Sequence, residues 1–142
     1  MTSTSYKYII AQKDDFALIK SDLLHKNKLH HWIWFVFPQA KRLGTSFFSN
    51  YYGFASGEEV RDFFNNKILK ANTINYLKII LKWDIDTLHA FFGNIDFKKF
   101  HSSMTIFYIF TKDGIFKKVL DKFYNGELDK DTLDIVKEWG KN

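Results

Sequence analysis

The sequence predicts an all-α fold, with residues 1–142 forming a single compact domain of about seven to eight short helices. Three observations support this prediction: apolar residues recur at helical spacing, capping residues precede several of these segments, and turn pairs typical of β-hairpins are scarce. The chain has the length of one domain, and neither a repeat nor a linker divides it. Residues 1–5 are expected to be flexible.

Helical spacing is clear in three segments of the first half of the chain. The first of these segments has apolar residues at i, i+3, i+7 and i+8, namely Phe16, Ile19, Leu23 and Leu24. Asp14 or Asp15 is expected to cap it. The capping box Ser56-Gly57-Glu58-Glu59 opens a second helix, and the stretch from Ile68 to Leu81 carries a third apolar stripe.

Three further helices are predicted in the second half, and each is expected to end at or near a glycine. They cover 87–92, 115–124 and 131–139. A left-handed backbone is expected at four helix ends, at Gly53, Gly93, Gly126 and Gly140.

Two apolar runs, Trp32–Phe37 and Met104–Phe110, fit either a helix or a buried strand. Pro38 ends whatever precedes it, because the residue before a proline is driven out of the α region. The helices predicted on both sides favour the helical alternative.

The composition excludes several classes of protein. Apolar residues make up 46% of the chain and aromatic residues 19%, which is enough for a packed core. The absence of cysteine excludes disulfides, thiolate zinc sites and cysteine nucleophiles. No signal peptide is recognisable, and the longest apolar run is far shorter than the ~20 residues that span a bilayer. We therefore expect a cytoplasmic protein with no membrane partner.

The net charge of +5 raises the question of nucleic-acid binding, but the kind of basic residue argues against it. Only Arg42 and Arg61 are arginines, and the lysines are spread along the chain in runs no longer than two. Base-edge contacts and bidentate phosphate contacts favour arginine. A solvated basic surface is therefore the preferred interpretation.

The segment from His30 to Gln39 carries the strongest functional signal. It holds two tryptophans, two phenylalanines, two histidines, the only proline and a glutamine. Such a mixture suits a pocket wall, which needs apolar surface together with a few fixed polar groups. If the segment is helical, His31, Trp34 and Phe35 share one face, and Gln39 follows at the end. The alternative is a core segment whose His31 and Gln39 bond the backbone at a helix end.

A second group of polar residues occupies positions 96 to 103. It contains a carboxylate, an ammonium, an imidazole and two hydroxyls, namely Asp96, Lys99, His101, Ser102 and Ser103. These groups could bind phosphate or carboxylate, and a helix beginning near Ser102 would add free N–H groups. The alternative is that Ser102 or Asp96 caps a helix while Lys99 is solvated.

A third group, Lys28, Arg42, Ser46 and Tyr52, flanks the turn at Pro38. Lys28 and Arg42 could complete the rim of an anion site. The alternative is that each basic residue follows a helix and interacts with its C-terminal dipole.

Blocks along nearly the whole chain resemble one family. The matching blocks are Ala11-Gln12, Lys28 to Gln39, Leu43-Gly44-Thr45-Ser46 leading to Tyr52-Gly53, Phe92-Gly93, Asp96, Lys99, His101-Ser102-Ser103-Met104-Thr105, and Leu120 to Gly126 with Asp129, Thr132 and Leu133. The family is domain of unknown function 1810, whose bacterial members are sometimes mislabelled as calpastatin. The resemblance implies a mainly α-helical fold and a bacterial origin, and it implies no established activity.

The chain departs from this family at two places. The family tends to carry a His-Pro pair where this chain has Asn65-Asn66-Lys67, which weakens a role for that loop. Where the family often has Arg or His before the serine pair, this chain has His101, so the basic character of that position is kept.

The sequence lacks the motifs of several well-defined catalytic and metal-binding sites. There is no Gly-x-Ser-x-Gly elbow around Ser102 or Ser103 and no phosphate-binding loop. The histidines lack metal-ligand spacing, so we expect no metal and no cofactor. The stretch 129–134 resembles a calcium loop but has Asp134 where that loop needs glycine, so we predict an Asp-capped helix start there.

Two functional hypotheses remain, and the sequence leaves open whether the protein is an enzyme. In the first, a small anionic, nucleotide-like ligand binds between the walls of Trp34 and Phe35, with Lys99 and Arg42 holding its anionic group. His31 and His101 would then be catalytic acid–base groups or hydrogen-bonding groups, and Asp96, the third candidate catalytic residue, would orient Lys99 or His101. The alternative is a non-enzymatic interaction module or a homo-oligomer that uses an exposed aromatic patch.

Overall fold

Nine α-helices make up most of residues 5–141, the part of the chain that the structure, a computed structural model, describes. They are α1 (Tyr6–Asp14), α2 (Phe16–His25), α3 (Ile33–Val36), α4 (Phe47–Tyr52), α5 (Gly57–Asn65), α6 (Lys67–Ile80), α7 (Ile85–Thr111), α8 (Gly114–Tyr124) and α9 (Lys130–Trp139). The predicted all-α class is confirmed, although the helices outnumber the seven to eight expected. Of the segment predicted to be flexible, residues 1–4 lie outside the described residues, and Ser5 is buried beside α1.

Side-chain caps start most of the longer helices. The predicted capping box is present at α5, where Ser56 Oγ accepts from the Glu59 N–H at 3.2 Å and the Glu59 carboxylate accepts from the Ala55 N–H at 2.8 Å. Asn66 lies at the first departure from the family pattern, and it caps α6. Asp129 caps α9, as predicted. Asp15 precedes α2 but makes no side-chain cap bond, so its predicted role is wrong.

Helix α7 is broken at Gly93, where φ is 75° and ψ is 170°. The predicted helix 87–92 therefore does end at this glycine, but a second helical stretch follows at once. This second stretch contains the ambiguous run 104–110, which is helical. Backbone with these angles is open essentially to glycine alone. The break redirects the helix that carries the polar group of residues 96–103.

The left-handed positions are not all where the sequence predicts them. Gly126 has φ 75°, but Gly53 and Gly140 have negative φ, so the prediction for these two glycines is wrong. Three non-glycine residues take the left-handed conformation at helix ends instead, namely Lys26, Lys112 and Asn125. Composition alone did not indicate that lysines would occupy such positions.

The other ambiguous run, Trp32–Phe37, contains only the single helical turn of α3. The chain then extends through Pro38 to an isolated β-bridge between Ala40 and Phe54, with no strand elsewhere in residues 5–141. The bridge is made by two bonds, from the Lys41 N–H to the Phe54 carbonyl and from the Phe54 N–H to the Gln39 carbonyl. It fixes the backbone of Gln39.

The core is rich in aromatic rings and is centred on α7. Phe107 lies at its middle, with rings from α5, α8 and the bridge around it at centroid distances of 5.0 to 6.2 Å, namely Phe54, Phe63, Phe64 and Phe116. Helices α5, α8 and α9 all pack on α7. Within residues 5–141 no helix is both long and apolar enough to cross a membrane.

Candidate functional site

A buried carboxylate on α2 organises the loop that leads into the tryptophan-rich segment. Asp22 has 2% of its surface exposed and accepts four hydrogen bonds. Its donors are the backbone N–H groups of Leu29 (3.2 Å) and His30 (3.1 Å), His30 Nδ1 (3.0 Å) and Trp32 Nε1 (2.9 Å). Three of these donors meet Oδ2 and one meets Oδ1, so both oxygens of this buried carboxylate are used to hold the loop.

The hydrogen bonds also decide the ionisation of Asp22. Burial opposes the charged form and raises the pKa, but the bonds from Trp32 and His30 and the nearby imidazole outweigh burial. The pKa of Asp22 is therefore held below its ordinary value of 3.8.

Lys28 ties the same loop to α7. Its side chain is 5% exposed, and Nζ lies 3.1 Å from Asp96 Oδ2 and donates to the His30 carbonyl at 2.8 Å. The ammonium also lies 5.3 Å from the centre of the Trp32 ring. Lys28 and Asp96 therefore neutralise each other where the tryptophan-rich segment meets α7.

Lys99 is held much less tightly than Lys28. Its Nζ lies 4.0 Å from Asp96 Oδ1, and its side chain is 23% exposed. Within residues 5–141 it makes no hydrogen bond, and its closest aromatic neighbour is Trp34, whose ring centre is 5.3 Å away. Trp34 in turn packs on Phe48 at 5.2 Å. The two polar segments predicted to share a pocket thus meet at this lysine.

A groove of about 480 Å³ opens beside Lys99, between the broken helix α7, the start of α9 and the segment after Pro38. It is lined by Gln39, Leu43, Ile95, Lys98, Lys99, His101, Ser102, Asp129 and Asp131. We call it the α7–α9 groove. A cavity of about 10 Å³, shared by Trp34, Gln39 and Lys99, adjoins it and has room for no more than one water-sized molecule.

Asp129 forms the inner wall of the α7–α9 groove and joins α9 to α7. Its Oδ2 accepts from the Thr132 N–H (3.0 Å), from Thr132 Oγ1 (2.6 Å) and from Ser102 Oγ (3.0 Å). Its own N–H donates to Thr105 Oγ1 at 2.9 Å. All three accepted bonds fall on one oxygen, so Oδ1 keeps acceptor capacity with respect to residues 5–141.

His101 is the histidine that lines this groove. Its Nε2 donates to the Glu127 carbonyl at 2.8 Å, and its ring stacks on Tyr124 at 4.1 Å with 6° between the planes. Nδ1 is therefore the nitrogen left for other contacts, and it lies 4.0 Å from Asp129 Oδ1. Burial, with a smaller contribution from the charge of Asp129, raises the pKa of Tyr124 and keeps its phenol neutral.

Four of the predicted site residues line the α7–α9 groove, namely Gln39, Lys99, His101 and Ser102. Three others, Trp34, Asp96 and Lys28, adjoin it through the contacts of Lys99 and Asp96. Ser102 and Asp96 both lie inside α7, so neither caps a helix, and the helix start expected near Ser102 is wrong.

The remaining predicted residues lie elsewhere. Phe35 and Ser103 are buried, and Phe35 packs on Tyr52, which borders a pocket against α1. His31 is exposed beside Trp34, at 6.1 Å between ring centres. Arg42 pairs with Glu138 at 2.9 Å on the surface, and Ser46 caps α4.

Sequence reasoning missed several residues that shape this region, above all Asp22, Lys98, Asp129 as a groove wall, and Asp131. One signal could have identified Asp22, because it shares the buried face of α2 with Ile19 and Leu23. A carboxylate on an apolar stripe requires donors from elsewhere in the fold. No group of three or more His, Asp or Glu residues within the described range could hold a metal ion.

Comparison with known proteins gives a family and a solved relative. A family model described as "Protein of unknown function (DUF1810)" matches residues 4–136. The crystal structure of the conserved hypothetical protein Rv1873 from Mycobacterium tuberculosis is similar to this chain, with a TM-score of 0.88 and 28% sequence identity. The similarity covers 94% of this chain and 96% of that one. No curated protein matches the chain.

Proposed function

Because the chain belongs to the family of proteins of unknown function DUF1810, whose description states no activity, we propose a function from its groove. The protein binds a small anionic ligand in the α7–α9 groove. The volume of about 480 Å³ lies within the range of small-molecule sites.

The observation that carries this proposal is the environment of Lys99. Asp96 lies 3.1 Å from Lys28 but 4.0 Å from Lys99, so its charge is shared and mostly committed to the more buried lysine. The Lys99 ammonium is therefore partly desolvated without a hydrogen bond inside residues 5–141. An anionic group in the groove would supply that bond, and Lys98 lines the groove beside it.

Three of the other lining residues suit the ring of a nucleotide-like ligand, whereas the carboxylates of Asp129 and Asp131 favour placing its anionic group on the lysine side of the groove. Leu43 and Ile95 offer apolar surface for a ring, and the Gln39 amide offers one acceptor and two donors for polar ring edges. The backbone of Gln39 is fixed by the bridge to Phe54, which orients the amide at low entropic cost.

His101 is the group best suited to acid–base chemistry on such a ligand. Its Nε2 is occupied by the Glu127 carbonyl, so a proton would move through Nδ1, with Asp129 nearby. A pair of histidines is not part of this proposal, because His31 does not line the groove.

The test is a thermal-shift and calorimetric comparison of AMP, ribose 5-phosphate and adenosine. A ligand at ~100 times its Kd adds about 2.7 kcal/mol, which raises Tm by several degrees. We expect AMP to bind, with Lys99→Gln weakening it about tenfold or more. Lys118→Gln removes the same charge from an exposed position outside the groove and should leave binding unchanged. Equal binding of AMP and adenosine, or equal effects of the two substitutions, would contradict the proposal.

A second candidate function, self-association, is favoured by one feature of α4. Phe47, Phe48 and Tyr51 are all exposed, with Phe47 at 72%, and the Phe47 and Tyr51 rings stack at 5.8 Å with 9° between planes. A flat aromatic surface on one short helix can pair with its own copy about a two-fold axis.

Light scattering over a range of protein concentrations tests this candidate. A dimer that is lost in Phe47→Ser and kept in Ile68→Ser, which removes a comparable exposed side chain on α6, would support it. A monomer at every concentration would exclude it.

A further inference from the structure

A second cavity, separate from the α7–α9 groove, lies between the C-terminal halves of α2 and α6. Its volume is about 400 Å³. The cavity is lined by Lys20, Ser21, Leu23, Leu24, His25, Lys26, Ile79 and Trp83. We call it the α2–α6 cavity. None of these residues lines the α7–α9 groove.

The walls of the α2–α6 cavity are apolar. Leu23 and Trp83 are almost fully buried and form its base, and Ile79 of α6 is partly buried. Leu24 stands at the edge with 78% of its surface exposed, the largest exposed fraction among the large apolar side chains within residues 5–141. Covering this leucine and the cavity base would remove apolar surface from water, which is favourable at ~25 cal/mol per Å².

The rim of the same cavity is basic. Among residues 5–141, the titratable groups that line it are Lys20, His25 and Lys26, and none of the lining residues in this range is acidic. The C-terminus of α2 contributes about half a negative charge there, which two lysines outweigh. His25 Nδ1 lies 2.8 Å from the Ser21 carbonyl and donates to it, so Nε2 is the ring nitrogen that remains for a ligand.

We propose that the α2–α6 cavity binds a small amphiphile with one apolar body and one carboxylate. The apolar body would lie on Leu23, Leu24 and Trp83, and the carboxylate would meet Lys20 and Lys26 at the rim. The volume falls within the small-molecule range of ~300–1,000 Å³. A linear carboxylic acid and an aromatic carboxylic acid both combine an apolar body with one carboxylate.

The backbone conformation of Lys26 allows its charge to be removed without a loss of stability, so this residue is suited to testing the proposal. It ends α2 in the left-handed conformation with φ 53°, which glycine adopts without strain. Lys26→Gly should therefore remove the cation while leaving Tm unchanged or higher. Lys112 ends α7 with φ 59° and does not line the cavity, so Lys112→Gly is the matched control.

The experiment measures binding by calorimetry and maps it by amide chemical shifts. Decanoate and decanol form one pair of probes, and 2-naphthoate and 2-naphthol form the other. We expect at least one acid to bind with shifts confined to α2, α6 and Trp83, about tenfold tighter than its alcohol. Lys26→Gly should weaken that acid about tenfold, and Lys112→Gly should not. The acid that binds more tightly of the two shows whether the cavity prefers a linear or an aromatic apolar body.

Three outcomes would overturn the proposal. The first is that neither acid binds, and the second is that acid and alcohol bind equally. The third is that the two glycine substitutions change affinity to the same extent. AMP is carried through the same titration, so a failure here is separable from a failure of the α7–α9 groove.

Discussion

Asp22 and Asp129 both join separate elements through hydrogen bonds, yet they differ in the acceptor capacity that remains on their carboxylate oxygens. Asp22 is buried and divides four donors between its two oxygens, all from the loop that it holds. Asp129 receives its three donors on Oδ2 alone, and its Oδ1 lies 4.0 Å from His101 Nδ1 in a groove. A buried carboxylate with both oxygens bonded inside the protein stabilises the fold, whereas a free oxygen beside a groove can also accept a hydrogen bond from a donor group of a ligand.

Lys28 and Lys99 repeat the same contrast around Asp96. Lys28 is nearly buried, with an ion pair and a hydrogen bond, while Lys99 is more exposed and has only the longer contact. Polar residues of the same type therefore divide into structural and available groups. Pairs of matched substitutions can test this division.

The largest effect is expected for Asp22→Ala. The substitution leaves the Trp32 indole N–H and loop N–H groups without an acceptor, in a buried setting where each unsatisfied group costs ~1–3 kcal/mol. We expect a loss of about 4 kcal/mol in the free energy of unfolding, measured in urea. Asp129→Ser keeps a capping oxygen on α9 and should cost only ~1 kcal/mol. Equal losses would contradict this difference between the two carboxylates.

The fold was largely predictable because most helices bury an apolar stripe. α5, α8 and α9 each present apolar residues at regular spacing after a capping side chain. α1 was not predicted because its buried residues are Tyr8 and Gln12, and a glutamine does not continue an apolar stripe. The Gln12 amide is buried because it bonds the Phe35 carbonyl, a partner 23 positions away.

The candidate site was only partly predictable, for a related reason. The sequence indicated Lys99, His101 and Ser102 together because they lie within the short polar stretch 96–103. It could not indicate that Asp129 would complete their surroundings, since the contact with Ser102 depends on how α9 packs on α7. It also could not separate Lys28 from Lys99, because distances to Asp96 decide that difference.

The next largest effect should separate these two lysines. Lys28→Met leaves Asp96 without its close partner in a mostly buried place, so we expect a loss of about 3 kcal/mol in stability. Lys99→Met removes no hydrogen bond within residues 5–141 and should change stability by less than ~0.5 kcal/mol. Urea unfolding of both variants measures the difference. A large loss in Lys99→Met would mean that this lysine is structural too.

A smaller effect is expected at the break in α7 that directs the groove residues. Gly93→Ala meets no neighbour within 4 Å of the new Cβ, so any cost comes from the backbone at φ 75°, at about 2 kcal/mol. Gly114→Ala also meets open space but lies in a helix, where alanine should stabilise by ~0.5 kcal/mol. Opposite signs in thermal unfolding would support this account. A neutral Gly93→Ala would show that the break tolerates side chains.

The smallest expected effect is a change in how the free energy of unfolding falls as the pH is lowered. Because the pKa of Asp22 is lower in the folded protein than in the unfolded chain, the unfolded chain takes up its proton first as the pH falls. The stabilisation is therefore complete above about pH 4–5 and is lost as the pH falls through the folded pKa. The Asp22→Asn variant has no carboxyl to titrate at this position. Its free energy of unfolding should therefore fall less steeply as the pH drops, with a slope smaller than the wild-type slope by at most ~1.4 kcal/mol per pH unit.

Urea unfolding at steps between pH 5 and pH 2 measures this slope. Asp134→Asn, which removes an exposed carboxyl with no hydrogen bond among residues 5–141, serves as the control. If the slope changes only in Asp22→Asn, the four donors around Asp22 favour its charged form, as their geometry indicates. If both variants match the wild type, the donors serve neutral and charged forms equally, and the loop is held by packing of Trp32 instead.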